Sequence, residues 1–416
     1  MRFRRGRWRE IQIVGISMKQ RQNTMSLLLS SDALAAFLPY GRQRIEEDDI
    51  EAVVAALRSD WLTTGPKVGE FEAAVCAFTG AQYGVAVSSG TAALHAAMYA
   101  LGIGSGDEVI VPAMTFAATA NGVVYQGGTP VFADVDPETL LIDPMDVARK
   151  ITAKTKAIIA VDYAGQPCDY EALRGIADQH GLALVADACH ALGGTYTGRK
   201  VGTLADLTVF SFHPVKHITT GEGGMVVTDN PELAARMRRF RNHGIDTDYR
   251  QREAEGTWYY EMTDIGFNYR ISDIQCALGI NQLRKLPTWL MRRRKIAGCY
   301  NDAFRDLSMA SPLVLMANRE HAYHLYVMRH ASGVIRDKVF RKMREMGIGV
   351  NVHYIPVYLH PYYRRVYGYA PGLCPEAERA FSAIFTLPIG PGVSDADVER
   401  VVASYRRALA EVESHE

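Results

Sequence analysis

Leu182-Ala183-Leu184-Val185-Ala186-Asp187-Ala188-Cys189-His190 is an apolar run that stops on a carboxylate. A strand this apolar has to be covered on both faces, as in a parallel sheet flanked by helices. A carboxylate at its C-terminal end stands where ligands of open α/β sheets bind. Working outward, comparable runs lie at 83–87, 108–112, 130–135, 157–163, 207–212 and 224–228, with helical stretches between them. With 183–187 they predict an α/β fold around a seven-stranded, mostly parallel sheet.

After Arg284 the pattern changes. A basic segment at 290–304 precedes a strand-like stretch at 324–329 and an amphipathic one at 336–346. The expected division is a large domain over 38–285 and a smaller C-terminal α+β domain over 286–416. Residues 1–37 read as a disordered leader. Their first part carries seven basic residues (Arg2, Arg4, Arg5, Arg7, Arg9, Lys19, Arg21) against Glu10. The apolar stretch at 11–16 is interrupted by Gln12 and is too short for a secretory core. Translation starting at Met18 or Met25 is the other reading of this region.

The 416 residues are 48% hydrophobic and 22% charged, which suits a globular chain. Lys plus Arg (46) balance Asp plus Glu (46), so no overall field attracts nucleic acid or an anionic membrane. A small-molecule partner is expected instead. No stretch reaches the roughly 20 apolar residues of a membrane-spanning helix. The six cysteines never make a CxxC pair, which points to reduced cytoplasmic thiols and no structural zinc. His321 and His324 read as core, since no third metal ligand accompanies them.

The first strand-to-helix turn decides between ligand classes. It reads Ser88-Ser89-Gly90-Thr91-Ala92-Ala93-Leu94 and lacks the GxGxxG of a dinucleotide site. Gly102, Gly104 and Gly106 make a GxGxG, but between a helix and a strand, the wrong order for phosphate binding. Free N–H groups at Ser89, Gly90 and Thr91 suit one phosphate, and suit an ordinary capping turn equally well. Asp187 is either the partner of a buried cation or a strand-end cap. The run Phe210-Ser211-Phe212-His213-Pro214-Val215-Lys216 puts a lysine just past an apolar strand. A desolvated lysine there can form a Schiff base with an aldehyde cofactor. Alone it would be a solvated loop residue; in one series with the phosphate turn and Asp187 it becomes a catalytic candidate.

These residues resemble the fold type I pyridoxal-phosphate enzymes, and among them the DegT/DnrJ/EryC1/StrS sugar aminotransferases. The motifs that carry the resemblance are 88–94, Asp187-Ala188-Cys189-His190-Ala191-Leu192-Gly193 and Ser211-Phe212-His213-Pro214-Val215-Lys216. The resemblance implies pyridoxal 5'-phosphate as cofactor, with Lys216 as Schiff-base lysine and acid/base and Asp187 on the ring nitrogen. It implies Gly90, Thr91 and Ser211 on the phosphate, Phe116 stacked on the ring and His190 on its other side. Asn268 would reach the phosphate from the partner subunit of a homodimer with shared active sites. Relatives that act as dehydratases have histidine in place of the lysine, and this chain has Lys216.

The segments 38–43, 62–66, 263–270 and 352–358 are similar to the aminotransferases of pseudaminic acid biosynthesis. That similarity implies ping-pong transfer from L-glutamate to C4 of a UDP-linked 4-keto-6-deoxy-N-acetylhexosamine. The product would be UDP-4-amino-4,6-dideoxy-N-acetyl-β-L-altrosamine. Tyr40, Thr63, Ser211, Asn268, His353 and Tyr354 would lie near the sugar nucleotide; His353 read alone is equally a packed histidine. Another nucleotide-linked 4-keto or 3-keto sugar, or a cofactor-binding regulator without turnover, are the alternatives.

Overall fold

Seven short strands make the central sheet of the computed structural model, which describes residues 37–247 and 249–414, with the backbone alone at 249–251. They are β1 (Tyr83–Val87), β2 (Glu108–Pro112), β3 (Thr129–Ala133), β4 (Thr155–Val161), β5 (Ala183–Asp187), β6 (Leu207–Ser211) and β7 (Gly224–Thr228). Side by side they run β1, β7, β6, β5, β4, β2, β3. Only β7 is reversed: it pairs antiparallel with β1 and β6, and every other neighbouring pair is parallel. This is the expected mostly parallel α/β sheet.

Burial explains the composition of these strands. Val85, Ile110, Ile158, Val185, Val209 and Val226 are wholly inaccessible, since helices cover both faces of the sheet. The helix Gly90–Ala100 packs on β6 and β7 and is buried nearly all round, which accounts for its alanines. Three strands end earlier than expected, β6 by one residue, at Ser211. β4 stops at Val161 because Asp162 leads into a tight turn, Tyr163–Gly165, with Ala164 at φ 59°. β3 spans Thr129–Ala133, not 130–135.

The helix Asp273–Phe304 opens on a capping box between Ser272 and Gln275 and runs for 32 residues with Pro287 inside it. It passes through residue 286, where a domain boundary was expected. Beyond it, β8 (Ala310–Pro312), β9 (Tyr326–His330) and β10 (Ile384–Leu387) form an antiparallel sheet in the order β8, β9, β10. The expected strand at 324–329 is β9, and the amphipathic stretch at 336–346 is the helix Gly333–Glu345, capped by Ser332. From Pro39 to Ser414 the described residues form one compact unit; of the segment before it only Phe37 and Leu38 are described. The expected leader therefore lies outside the described residues except for Phe37. No helix among the described residues is long and apolar enough to cross a membrane.

Candidate active site

The reversed strand β7 brings two loops together. Its first residue, Gly224, pairs with Val87 at the end of β1 and with Ser211 at the end of β6. The turn after β1 is thereby pressed against Ser211. A Cβ on Gly224 would stand 2.4 Å from the Ser89 carbonyl oxygen, and one on Gly90 would stand 2.8 Å from Ser211 Cβ. Ser89 caps the helix Gly90–Ala100, its Oγ accepting from Ala92 N at 3.1 Å. The N–H groups of the first turn and the Ser211 hydroxyl thus converge, with the positive end of the helix dipole behind them.

Because β2, β5 and β6 run the same way, their C-terminal ends reach the same edge. Asp187, last in β5, is buried; its Oδ2 accepts from Thr119 Oγ1 at 2.7 Å and its Oδ1 from Cys189 N at 3.3 Å. Thr119 in turn lies 2.8 Å from Thr115 Oγ1. Phe116 follows β2 and is the N-cap of the helix Ala117–Tyr125. Its ring is 60% exposed, 5.9 Å from that of Tyr354.

Lys216 sits on the loop after β6, which is closed by Lys216 N donating to His213 O at 2.9 Å and Thr220 N donating to Phe212 O at 3.1 Å. Burial pushes the Lys216 amine below the ordinary lysine value, while nearby Cys189 and Asp187 pull it back up. Among the described residues its Nζ takes part in no hydrogen bond or ion pair. Around it are buried histidines. His190 Nε2 is 3.2 Å from Tyr354 Oη, and its ring is 4.3 Å from that of His324. Burial drives His190, His217 and His324 well below the ordinary imidazole value, and Lys216 adds to the effect on each. His353 is lowered to about 4 by burial and Lys216. His353 is held by Thr386 Oγ1 at 2.8 Å from Nδ1 and by Asn351 Nδ2 at 3.3 Å from Nε2, and its ring is 5.1 Å from that of Tyr40.

The model of the DegT/DnrJ/EryC1/StrS aminotransferase family matches residues 43–406. The chain belongs to that family. Spore coat polysaccharide biosynthesis protein SpsC of Bacillus subtilis is 42% identical over 376 residues, 89% of this chain and 96% of that protein. The putative sugar aminotransferase Spr1654 of Streptococcus pneumoniae, in its PMP form, superposes with a TM-score of 0.86 at 33% identity, over 90% of this chain and 100% of that one. A PLP form of the same protein gives 0.85. Helicobacter pylori PseC, an aminotransferase involved in the biosynthesis of pseudoaminic acid, superposes at 0.84 with 32% identity, over 90% of this chain and 100% of that one. Like its DegT/DnrJ/EryC1/StrS relatives the chain is a fold type I sugar aminotransferase, and its cofactor is pyridoxal phosphate.

The residues present fit that cofactor. A buried carboxylate whose protein donors are a hydroxyl and a backbone N–H is suited to a cation. A cradle with no room for a Cβ at Gly90 admits a phosphate, and Phe116 is largely exposed. Of the expected residues, the structure gathers Gly90 and Ser211 at the cradle, and Asp187, His190, Lys216, His353, Tyr354 and Tyr40 through the contacts and charges just described. Thr91 follows Gly90 in the first helical turn. No hydrogen bond, ion pair or ring contact among the described residues joins Thr63 or Asn268 to Lys216 or Asp187 of the same chain. Thr63 bridges to Ser272, and Asn268 is exposed and bridges to Asn242. Thr63 and Asn242 both line a cleft of about 710 Å³ with Arg238, Arg239, Arg241 and Arg270.

Thr115 and Thr119 did not stand out in the sequence, and His324 read as core. The i, i+4 spacing of the two threonines around Phe116 was the one available signal. No group of three or more potential metal ligands occurs among the described residues.

Proposed function

We propose that this aminotransferase moves the amino group of L-glutamate to C4 of a UDP-linked 4-keto-6-deoxy-N-acetylhexosamine, yielding UDP-4-amino-4,6-dideoxy-N-acetyl-β-L-altrosamine. The observation that carries the catalytic part is the meeting of Lys216, Asp187 and the Gly90–Ser211 cradle at one sheet edge. Bound pyridoxal phosphate supplies an aldehyde for the amino group and an electron sink for the adjacent carbon. Lys216 holds it and moves the proton: Nζ takes one from the α-carbon of glutamate and, in the second half of a ping-pong cycle, delivers one to C4 of the sugar. Asp187 accepts from the ring nitrogen. Gly90, Thr91 and Ser211 bind the phosphate, and Phe116 and His190 flank the ring.

Tyr40, Thr63, Ser211, Asn268, His353 and Tyr354 face the sugar nucleotide in this proposal, with Thr63 and Asn268 supplied by a second copy. The exposed apolar side chains of Trp258, Tyr259, Tyr260, Met262, Ile265 and Phe267, beside Asn268, support a homodimer at that surface. A large cofactor-binding part over 38–285 and a smaller part over 286–416 belong to the same proposal, with Asp273–Phe304 as the connecting rod. The choice of sugar is supported by the likeness to PseC. The higher identity to SpsC favours a second reading, another nucleotide-linked keto sugar destined for a surface polysaccharide. Incubating the enzyme and glutamate with a panel of UDP- and dTDP-linked keto sugars, with products assigned by NMR, separates the two. Amination of only a different sugar would sink the first.

A further inference from the structure

Asp187 is gripped from behind by a chain of two hydroxyls that the mechanism above leaves without a task. Thr119 Oγ1 is 2.7 Å from Asp187 Oδ2, Thr115 Oγ1 is 2.8 Å from Thr119 Oγ1, and both threonines are buried. A carboxylate only accepts, so Thr119 spends its single proton on Asp187 and accepts from Thr115. The direction of the chain is thereby fixed, from Thr115 through Thr119 to Asp187. Cys189 N, at 3.3 Å, holds the other carboxylate oxygen. The same helical turn carries Phe116, with Thr119 three residues further on, so ring stacking and carboxylate orientation are set by one rigid element.

We propose that Thr119, oriented by Thr115, is a positioning residue that aims Asp187 at the ring nitrogen of the cofactor. This rests on the reading of Asp187 as the partner of that nitrogen. A turn that fixes the torsion of a buried carboxylate keeps its remaining lone pairs directed at one point, at no reorganisation cost when the cofactor arrives.

The test uses apoenzyme and two ligands, pyridoxal phosphate and its 1-deaza analogue, in which carbon replaces the ring nitrogen, measured by equilibrium dialysis. Wild type is expected to prefer pyridoxal phosphate. Thr119→Val should bind pyridoxal phosphate about 10- to 100-fold more weakly, the scale of one hydrogen bond to a charged group, with the analogue unchanged. Thr119→Ser should restore the preference. Thr115→Val should lose a smaller factor, and none beyond Thr119→Val when the two are combined. In turnover, kcat should fall in Thr119→Val while KM for the sugar holds. Equal weakening toward both ligands, or none toward either, overturns the proposal. If wild type and Asp187→Asn both bind the two ligands alike, the assignment of Asp187 itself fails. If Asp187→Asn loses the preference and Thr119→Val keeps it, only the role of the threonines fails.

Discussion

Replacing Gly90 by alanine tests the phosphate cradle with one methyl group. Gly90 opens a helix and its φ lies outside the left-handed region, so the backbone accepts alanine. Alanine is the better helix former by about 1 kcal/mol, so the helix itself should not suffer. The obstacle is Ser211: the new Cβ would lie 2.8 Å from its Cβ and 3.0 Å from its Oγ. Carbon atoms rest at about 3.5–4.0 Å, so the helix start and Ser211 must part by about 1 Å. An N–H···O bond stretched by about that much leaves hydrogen-bonding range. Losing one or two charge-assisted bonds, at about 1.5–3 kcal/mol each, weakens pyridoxal phosphate binding by roughly 10- to 10⁴-fold. Titration of the apoenzyme should show that loss for pyridoxal phosphate, whereas pyridoxal, which has no phosphate, should bind as it does to wild type. An equal loss for both, or no loss for either, would refute the placement of the phosphate.

Lys216→Ala should lower turnover by about 10²–10⁴-fold or more, with loss of the cofactor's lysine-dependent absorbance band; a spectrum and rate like wild type would remove Lys216 from the mechanism. Lys216→Ala and Asn268→Ala should each be inactive alone, yet co-expressed should recover about a quarter of wild-type activity, because random pairing leaves one intact site in each mixed dimer. No recovery would mean that the two residues do not serve one site from different chains. Asp162 is buried, and burial pushes its carboxyl up to about 7, with the charge of Asp187 adding to the rise. Its folded value lies above its unfolded one, so the stability it contributes is full below about pH 4 and lost as pH rises to about 7. Between pH 5 and pH 8 wild type should therefore lose about 2–3 kcal/mol that Asp162→Asn does not, read from urea midpoints. Parallel curves would show that Asp162 does not titrate in that window.

The sheet was legible because each of its strands is short, apolar and followed by a turn, and double-sided burial leaves few other ways to place residues such as Ile158 or Val185. The direction of β7 was not legible. An apolar run such as Gly224–Thr228 reads the same in a parallel or an antiparallel strand, yet that reversal is what seats Gly90 against Ser211. Asp187 and Lys216 stood out because charge at the end of an apolar strand is rare. Thr119 did not, since a threonine in a helix has many bland explanations and its partner lies 68 residues away in sequence. His324 was read as core, and it is buried, but its ring lies against His190 at the reacting edge. Thr63 and Asn268 entered only through resemblance, because nothing in their own short segments, a threonine and an asparagine in loops, marks them as ligands.

The surroundings of His190 also decide which way its hydrogen bond with Tyr354 runs. Burial keeps the imidazole neutral, so it has one N–H and one bare nitrogen. Nδ1 is buried and without a partner among the described residues, while Nε2 is 3.2 Å from the Tyr354 hydroxyl. If the tyrosine donated, the proton would sit on Nδ1, and a buried N–H would be orphaned. If Nε2–H donates, only a lone pair is left bare at Nδ1, the cheaper of the two defects. The second tautomer therefore prevails, and the Tyr354 O–H is left free to point away from His190. In the proposed complex that hydroxyl becomes a donor to the sugar, which makes His190 the residue that orients Tyr354 as well as a flank of the cofactor ring. Tyr354→Phe should then raise KM for the sugar more than KM for glutamate, and an equal rise in both would contradict this direction of donation.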